Sequence, residues 1–510
     1  MSRRGPWFIL LPLLLLGLWH VAVTRQWVMP GIIPAPAQVA ESWQRWIFGK
    51  PGLSLSPYSG TWVANVVYSA RRVFEGFVIA AGVGIPLGLL IGWNRLVARI
   101  VDPSVQLLRP VPITAWLPFS IAVFGIYDAG ALFLIALGAF YPIVVNTTHG
   151  VRDTNLLLLR AARMLGAGEP TVLRKVVLPS ALPSIFTGLR LGVGVAWTAV
   201  IVAETWGGWT SAWPRCSRSA CSASSLIVSS SACRGWCSGG GRWRLMAEPA
   251  ITLHSVFKEF NKRGHKVEAL QAIDFAVERN EFAAILGPSG CGKSTLLNMV
   301  AGFDTPTRGH VLVDGAPVNG PAPSRAVVFQ EPALFPWYTV LDNITFGPKN
   351  RGLAPATYRP KVEALVEQVG LRGFETHYPA ELSGGMKQRV GIARVLVMEP
   401  AVLLMDEPFG SLDAQTRSLM QELLLSVWER HHQTVLFITH DIEEALLLAD
   451  SVSVMTARPG RIKKRLTVEL PRPRTIELTT SPVFNELKRE VLALIREESL
   501  RAASEKGDEG

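Results

Sequence analysis

A glycine-rich loop in the second half of the chain has the residue types that bind phosphate. It follows the apolar stretch 282–286 and precedes another apolar stretch of helical character. The loop consists of Gly287, Pro288, Ser289, Gly290, Cys291, Gly292, Lys293, Ser294 and Thr295. Glycines let backbone N–H groups converge on phosphate oxygens at a helix N-terminus, where the helix dipole favours an anion. We expect the loop to bind a nucleoside triphosphate, with Lys293 at the β- and γ-phosphates and the Ser294 hydroxyl on Mg²⁺.

Two adjacent acids, Asp406 and Glu407, follow the apolar stretch 401–405. Where such a strand accompanies a phosphate loop, the first acid serves Mg²⁺. We therefore expect Asp406 to bind Mg²⁺ and Glu407 to act as general base on the water that attacks the γ-phosphate. The alternative is a strand that ends in two solvated acids without a catalytic role, and the phosphate loop upstream argues against it.

A glycine-containing run lies between the phosphate loop and the two acids. The run 382–389, Leu-Ser-Gly-Gly-Met-Lys-Gln-Arg, is similar to the signature sequence of the ATP-binding-cassette superfamily. The other matching positions are Gln330 in the Q-loop, Ser411, Leu412 and Asp413 in the D-loop, His440 as the switch histidine, and Phe260 as the aromatic residue that stacks on adenine.

This resemblance implies an α/β P-loop domain that hydrolyses ATP with Mg²⁺ between two copies packed head to tail. The signature residues of one copy would close over the γ-phosphate held by the other copy. They are Ser383, Gly384 and Gly385, and the resemblance also places Asp413 at the ATP site. His440 would hold the γ-phosphate and the water in line, and Gln330 would bind Mg²⁺ and link the site to the membrane domain. Because the chain has one phosphate loop and one signature, we expect a homodimer.

The composition shows where these elements belong. The chain has 510 residues, of which 49% are hydrophobic and 18% are charged, and its mean hydropathy is +0.26. These values exclude a disordered chain and are too apolar for an ordinary soluble enzyme. The excess positive charge lies in the first 245 residues, as short basic clusters between apolar runs. We expect such clusters to set the orientation of the chain in a lipid bilayer, and we expect no nucleic-acid partner.

Five apolar runs are each close to the ~20 residues that cross a bilayer as a helix. They are residues 7–23, 73–93, 105–125, 129–147 and 188–204. The first run resembles a secretory signal, but no small-residue cleavage site follows closely, so we expect an uncleaved anchor. The alternative, a set of buried helices in a soluble protein, is disfavoured by the number of such runs.

Basic residues orient these spans by the positive-inside rule. The clusters at 3–4, 95–99 and 152–175 place the N-terminus and the loop after the fourth run in the cytoplasm. Arg71 and Arg72 disagree with this orientation. We interpret them as long side chains that snorkel to the membrane interface.

The cytoplasmic loop at about 160–183 carries a spaced pattern. The pattern consists of Ala161, Ala162, Gly166, Leu178 and Pro179. It resembles the coupling loop of permease subunits in ATP-binding-cassette importers, although Arg160 stands where the family has Glu and Val176 where it has Ile. The resemblance implies a helix–turn–helix on the cytoplasmic face, with Gly166 allowing the turn and Pro179 ending the second segment. An ordinary amphipathic loop is the alternative.

Two stretches, 107–118 and 325–337, resemble the nitrate/sulfonate/taurine branch of these importers. The resemblance implies ATP-driven import of a small solute across the bacterial inner membrane by a multi-pass permease, with the ATPase domain in the cytoplasm. It also implies a separate partner, a periplasmic or lipid-anchored solute-binding protein. The identity of the solute stays open. A fused exporter would lack the coupling loop, and a soluble cassette protein would lack the apolar half.

The fold class expected is an α-helical membrane permease domain at 1–206 followed by an α/β P-loop ATP-binding-cassette domain at 246–510. A cytoplasmic ATPase domain requires a sixth crossing after the fifth span. The intervening strip, 207–245, does not supply one. Its longest uncharged run that is mainly non-aromatic, 219–233, is too short and too polar to span a bilayer.

The composition of the strip 207–245 is also unlike that of a membrane helix. Ser, Arg, Gly and Trp dominate it, and it holds Cys216, Cys221, Cys233 and Cys237. The spacing of these cysteines is weak evidence for zinc or for disulfides. We interpret the strip as the product of a frameshift that erased the sixth span and fused two genes, which would leave only the ATPase half competent. A natural fusion through a flexible linker is the alternative.

Overall fold

The computed structural model describes residues 7–27, 33–49, 59–125, 128–207, 249–262, 265–410 and 412–507. These residues form two compact units. Within the described ranges, the first unit draws on 1–153 and 181–231, and the second on 154–180 and 232–510. Segment 154–180 therefore belongs with the C-terminal part of the chain. The strip from residue 208 onward, with its four cysteines, lies outside the described residues.

The described residues before 208 are almost entirely helical. The helices are α1 (Trp7–Thr24), α2 (Pro36–Phe48), α3 (Trp62–Trp93), α4 (Arg95–Leu108), α5 (Leu117–Phe124), α6 (Asp128–Arg152), α7 (Leu156–Met164), α8 (Glu169–Val172) and α9 (Leu178–Gly207). A 3-10 turn, Ile113–Trp116, precedes α5, and a π-helical turn, Leu173–Val177, joins α8 to α9.

Within the described ranges, three helices are long and apolar enough to cross a membrane. They are Trp62–Trp93, Asp128–Arg152 and Glu169–Glu204. The predicted runs that lie inside them are 73–93, 129–147 and 188–204. The apolar part of α1, Leu10–Thr24, is a shorter helix.

The predicted span at 105–125 is wrong as a single helix. The helical segments Arg95–Leu108 and Ile113–Phe124 are bent by 98° at the break between them. Pro110 and Pro112 lie in that break, where each removes a backbone N–H that a continuous helix needs. The two segments give a fourth crossing only if they are counted together as one broken span.

The expectation that Pro179 ends a helix is also wrong. The helix continues from Glu169 to Glu204, through Pro179. The π-helical turn comes directly before the proline, and the N–H of Leu178 donates to the carbonyl of Leu173, five residues earlier. This wider turn accommodates a residue that has no N–H of its own.

Arg72 does not snorkel as predicted. Its side chain is only 14% exposed, and its guanidinium donates to Asp128 Oδ1 at 2.9 Å and to Glu204 Oε1 at 3.3 Å. It therefore ties α3 to the start of α6 and to the end of α9. Arg71 is exposed and pairs with Glu75, one turn along the same helix, at 2.7 Å.

Helices α3 and α6 pack closely through glycines. A Cβ added at Gly76 would lie 2.6 Å from Ile135 Cγ2, and one added at Gly92 would lie 2.5 Å from Val151 Cβ. The residue numbers of the contacting positions increase together along both helices, so α3 and α6 run parallel. Small residues at the interface permit such an approach, as is usual between membrane helices.

Helix α9 runs antiparallel to α6. A Cβ added at Gly188 would meet Asn146 at 3.0 Å, and one added at Gly192 would meet the side chain of Ile143 at 3.2 Å. The core formed by α3, α6 and α9 contains the buried residues Val73, Ala80, Ile135, Ala139, Ile143, Ala196, Ala199 and Val200.

The described residues from 249 onward form an α/β fold. Its strands are β1 (Ile251–Lys262), β2 (His265–Val277), β3 (Phe282–Leu286), β4 (Arg308–Val313), β5 (Ala316–Pro317), β6 (Arg325–Val328), β7 (Val402–Asp406), β8 (Thr434–Ile438), β9 (Ser451–Met455) and β10 (Ile462–Thr467). Its helices are α10 (Lys293–Ala301), α11 (Val340–Asn350), α12 (Pro355–Gln368), α13 (Gly384–Leu396), α14 (Ala414–His431), α15 (Ile442–Leu448) and α16 (Pro482–Gly507).

The strands form two sheets. The first is antiparallel, in the order β2-β1-β4-β5, and the second has the order β10-β9-β3-β8-β7-β6. In the second sheet, β6, β7, β8, β3 and β9 are parallel, and β10 is antiparallel to β9. Strands β3, β8 and β9 are buried throughout, as is usual for a parallel sheet covered by helices. The carboxyl ends of β3, β6, β7 and β8 therefore meet at one edge, where ligands bind in such folds.

Candidate nucleotide site

The phosphate loop connects β3 to α10. Gly290 and Gly292 have φ of +79° and +103°, and a Cβ at Gly292 would also lie 2.6 Å from Leu270 Cδ2. Only glycine suits that position. Lys293 is buried, and its Nζ donates to the carbonyls of Gly287 at 2.7 Å and Pro288 at 3.1 Å. The ammonium group thus lies against the loop that a phosphate would occupy.

Ser294 and Asp406 meet at the carboxyl ends of β3 and β7. Ser294 Oγ donates to Asp406 Oδ1 at 3.1 Å. Burial raises the pKa of Asp406, and the hydrogen bond from Ser294 opposes that shift. The two oxygens form a pair of hard ligands of the kind that Mg²⁺ prefers.

The three residues predicted to be catalytic lie together. Gln330 Nε2 donates to Glu407 Oε2 at 3.1 Å, and His440 Nδ1 lies 3.3 Å from the same oxygen. Glu407 has φ of +45°, which is unusual for a residue with a side chain, and its backbone N–H donates to Ile438 O at 2.8 Å. That bond to β8 holds the carboxylate between the Q-loop and the switch histidine.

The signature residues begin α13. Ser383 is the N-cap, and its Oγ accepts from the N–H of Met386 at 3.3 Å. Ser383 and Gly384 are exposed, and among the described residues no atom beyond the chain neighbours and backbone of its own helix lies within 4 Å of the Cβ position of Gly384. The N-terminus of α13 is therefore open to an anion.

Asp413 lies at the start of α14 and Phe260 lies on β1, both in the second unit. Asp413 caps α14 and accepts from the N–H of Thr416 at 2.9 Å, a hydrogen bond that lowers the pKa of Asp413. Ser411 lies outside the described residues. Phe260 is 41% exposed on β1, and the Lys258 ammonium lies 5.0 Å from the centre of its ring.

Segment 154–180 forms part of the second unit. Ala161 and Ala162 are fully buried in α7, and Gly166, with φ of +83°, makes the turn after it. The N–H of Val327 on β6 donates to Met164 Sδ. Because Gln330 follows β6 within three residues of Val327, this contact connects the segment to the Q-loop.

Two basic residues of the same segment extend these contacts. The Arg160 guanidinium lies 5.3 Å from the ring centre of Phe303, and Phe303 stacks on Phe329, the residue before Gln330. Lys175 Nζ donates to Asn350 Oδ1 at 3.1 Å, and the Lys175 carbonyl accepts from Trp337 Nε1 at 3.1 Å. Arg160 thus has an aromatic partner, although it replaces the acidic residue of the family pattern.

Sequence analysis missed two buried polar residues of α13. Gln388 Nε2 donates to Phe329 O at 3.2 Å, and Arg394 donates to the carbonyls of Ala333 at 2.8 Å and Pro332 at 3.0 Å. Complete burial lowers the pKa of Arg394 to about 10. These bonds fasten the residues around the Q-loop to the signature helix. The signal in the sequence was a pair of polar side chains on the apolar face of a helix.

Comparisons with known families match both halves of the chain. Residues 270–410 match the family described as "ABC transporter", and residues 84–215 match the "Binding-protein-dependent transport system inner membrane component" family. A phosphate loop on a largely parallel sheet, with the acids and the helix-initial signature around it, defines a P-loop ATP hydrolase.

Similar proteins cover the C-terminal half. An uncharacterized ABC transporter ATP-binding protein of Methanocaldococcus jannaschii is 47% identical over 49% of this chain and 93% of the relative. The aliphatic sulfonates import ATP-binding protein SsuB of Bacillus cereus is 45% identical over 48% of this chain and 94% of the relative. The nitrate import ATP-binding protein NrtD of Synechocystis is 47% identical over 46% of this chain and 90% of the relative. This chain belongs to the ATP-binding-cassette transporter family.

A solved structure with 29% identity is a dimeric post-hydrolysis state of an ATP-binding cassette bound to ADP and Pi. The match covers 43% of this chain and 100% of the other, with a TM-score of 0.40.

The two family matches confirm the predicted fold class, a helical permease region followed by an α/β cassette domain. The chain is an ATP-hydrolysing transporter protein with an ATP-binding domain and a membrane region.

Proposed function

We propose that this chain is both permease and ATPase of an importer for a small solute of the nitrate, sulfonate or taurine type. The observation that carries the proposal is the position of segment 154–180 on the cassette domain, next to the strand that leads to Gln330. An importer needs such a contact to pass the state of the permease to the ATP site. The names of SsuB and NrtD support the solute class.

Mg²⁺ and ATP fit the residues at the carboxyl ends of the strands. Ser294 and Asp406 would supply two adjacent oxygens for the metal. Gln330, whose Nε2 donates to Glu407, would supply a third through its amide oxygen. Residues 287–295 and Lys293 would bind the phosphates, and Phe260 would stack on adenine. The metal, when bound, neutralises charge on the β- and γ-phosphates.

Hydrolysis then depends on how the chain orients water. Glu407 would accept a proton from the attacking water, and His440 would hold that water and the γ-phosphate in line. Gln330 and His440 both contact the Glu407 carboxylate, which places the groups that would orient the water beside the proposed base.

The open signature of α13 supports a homodimer. Ser383, Gly384 and Gly385 of one copy would complete the ATP site of the second copy, with Asp413 nearby. The assembly would lie in the bacterial inner membrane as a multi-pass protein, with both cassettes in the cytoplasm. A periplasmic or lipid-anchored binding protein would deliver the solute.

The alternative to import by this chain is that the strip 207–245 replaces a lost sixth span, which would leave only the ATPase half competent. The permease family match ends at residue 215, and α9, which begins at the segment expected to lie in the cytoplasm, would end on the other side of the membrane. Reading the DNA tests this idea: a shifted frame should encode about 20 apolar residues and a stop near Met246. If no frame encodes an apolar span, the strip is a natural linker.

Transport is tested with the full chain in liposomes, with ATP enclosed and the candidate binding protein outside. We expect the loaded binding protein to stimulate ATP hydrolysis and to permit uptake of nitrate, taurine or an alkanesulfonate. The Glu407→Gln chain is the matched control and should show neither effect. Efflux without any response to a binding protein would identify an exporter instead.

A further inference from the structure

The break between α4 and α5 lies near the middle depth of the first unit. The positions of neighbouring residues can be given as levels along helix α6, which runs from Asp128 to Arg152. The Arg152 guanidinium pairs with Asp102 of α4 at 2.9 Å, which places Asp102 at the last turn of α6. Further along α4, Val105 packs against Val144 and Val145.

Beyond the break the chain has moved toward the other end of α6. A Cβ added at Gly138 would lie 2.8 Å from Ile113 Cδ1, and Ser120 Oγ donates to Gly130 O at 2.9 Å. Residues 109–112 therefore lie between the levels of Val144 and Gly138. That interval is the middle of α6.

Arg109 is the first residue of this break and is exposed. A second exposed arginine, Arg190 of α9, lies at the same depth, because Gly188 meets Asn146 and Gly192 meets Ile143. Ile113 and Val195, which follow the two arginines by four and five residues, both lie close to the Cβ position of Gly138, so the two segments are neighbours at that level.

Neither guanidinium has an ion-pair or hydrogen-bond partner among the residues that the structure describes. Other arginines of the first unit do, as the pairs of Arg72 with Asp128 and of Arg152 with Asp102 show. A charged side chain at the centre of a bilayer is costly, so such residues face a water-filled path or a counter-ion.

We propose that Arg109 and Arg190 form an oxyanion-binding site at mid-depth of the transport pathway, between the two copies of the homodimer. This assignment rests on the proposed import function and names its substrate class: a small anion with planar or tetrahedral oxygens, such as nitrate or a sulfonate. A guanidinium binds two such oxygens through parallel N–H groups. The non-helical backbone at 109–112 lines the path, which is where irregular backbone is tolerated in membranes.

The site is tested by saturation-transfer NMR on the full chain in phosphatidylcholine nanodiscs, which hold no anionic lipid. The probe is methanesulfonate, nitrate is the competitor, and dimethyl sulfone is the uncharged analogue. We expect transfer to methanesulfonate, its loss on addition of nitrate, and none to dimethyl sulfone.

The variants separate the site from general charge effects. Arg109→Gln and Arg190→Gln should each weaken binding about tenfold or more, since hydrogen bonds between charged groups contribute at least that factor. Arg109→Lys and Arg190→Lys keep the charge but lose the planar pair of donors, so they should bind less tightly than the unsubstituted chain and more tightly than the glutamine variants, which ties the loss to charge and geometry instead of misfolding. Arg99→Gln, an exposed arginine near the other end of α4, is the matched control and should bind as the unsubstituted chain does.

Three results would overturn the site: no transfer in the unsubstituted chain, unchanged binding in both glutamine variants, or an equal loss in Arg99→Gln. ATP hydrolysis with a binding protein in the same nanodiscs separates the two proposals. If hydrolysis is stimulated while binding ignores Arg109 and Arg190, the site is wrong and import stands. If binding depends on both arginines while no binding protein stimulates hydrolysis, import is wrong and the anion site stands.

Discussion

The indole N–H of Trp337 donates to the backbone carbonyl of Lys175 at 3.1 Å. Pro179 explains why that carbonyl has no α-helical hydrogen bond of its own. In an α-helix the carbonyl of residue 175 accepts from the N–H of residue 179, which a proline lacks. The π-helical turn before Pro179 carries the helix past this position. The Leu-Pro pair of the coupling pattern thus presents a backbone acceptor to the cassette.

Removing the indole donor should weaken this contact. We expect Trp337→Phe to lower the ratio of binding-protein-stimulated to basal ATP hydrolysis, because the indole donor that joins Trp337 to the Lys175 carbonyl is then lost. Pro179→Ala restores the competing N–H and should act in the same direction. Both variants are measured in liposomes beside Tyr378→Phe, an exposed aromatic of the same domain. An unchanged ratio in both variants would contradict a coupling role for the contact.

The chemistry of the ATP site was more predictable than the path of the membrane helices. The phosphate loop follows one strand and the two acids follow another. In a parallel sheet the carboxyl ends of strands lie at the same edge, so the loop and the acids must meet there. By contrast, the apolar average of 105–125 concealed a break that Pro110 and Pro112 signalled locally. The contacts of Arg394 could not be predicted, because they depend on where the irregular backbone at 332–333 passes over α13.

The contact between Arg160 and Phe303 should contribute measurable stability. We expect a double-mutant cycle of Arg160→Gln and Phe303→Leu to give a coupling free energy of about 0.5–1 kcal/mol, the usual size of a partly exposed cation–π pair. The measurement is denaturant unfolding of the cassette transition in the full chain. Arg160→Gln with Phe257→Leu is the control pair, since Phe257 contacts Arg308 instead, and its effects should add. Additivity in the first pair would show that the ring contact contributes nothing.

Substitution of Glu407 and of Lys293 should separate catalysis from binding. Glu407→Gln keeps the shape of the side chain but removes the base, so we expect ATP binding with turnover reduced by several orders of magnitude. Lys293→Ala should weaken nucleotide binding itself. Equilibrium binding of a labelled nucleotide and the rate of phosphate release distinguish the two. Hydrolysis at the unsubstituted rate by Glu407→Gln would mean that another group activates the water.

Gly88 should be intolerant of any side chain. A Cβ there would lie 2.7 Å from Thr147 Cβ and 2.9 Å from the backbone oxygen of Val144, so α3 and α6 must separate. We expect Gly88→Ala to destabilise the helix bundle by about 1–3 kcal/mol, as overpacking does. Thermal unfolding in detergent measures this. Gly82→Ala on the same helix is the matched control, since no atom of another described helix or loop lies within 4 Å of its Cβ position. Equal melting temperatures of the two variants would contradict the close packing of α3 on α6.

Two variants that are each inactive should hydrolyse ATP when they form a mixed dimer, if the ATP site is shared between copies. Lys293→Ala disables the phosphate loop and Ser383→Arg blocks the signature, so each variant alone has no complete site. In a mixed dimer, Lys293 of the second variant faces Ser383 of the first, and one site is intact. We therefore expect co-expressed chains with different affinity tags, purified through both tags, to hydrolyse ATP, while each variant alone does not. A doubly tagged dimer without activity would contradict the shared site, and full activity of Ser383→Arg alone would show that ATP is hydrolysed without the partner's signature.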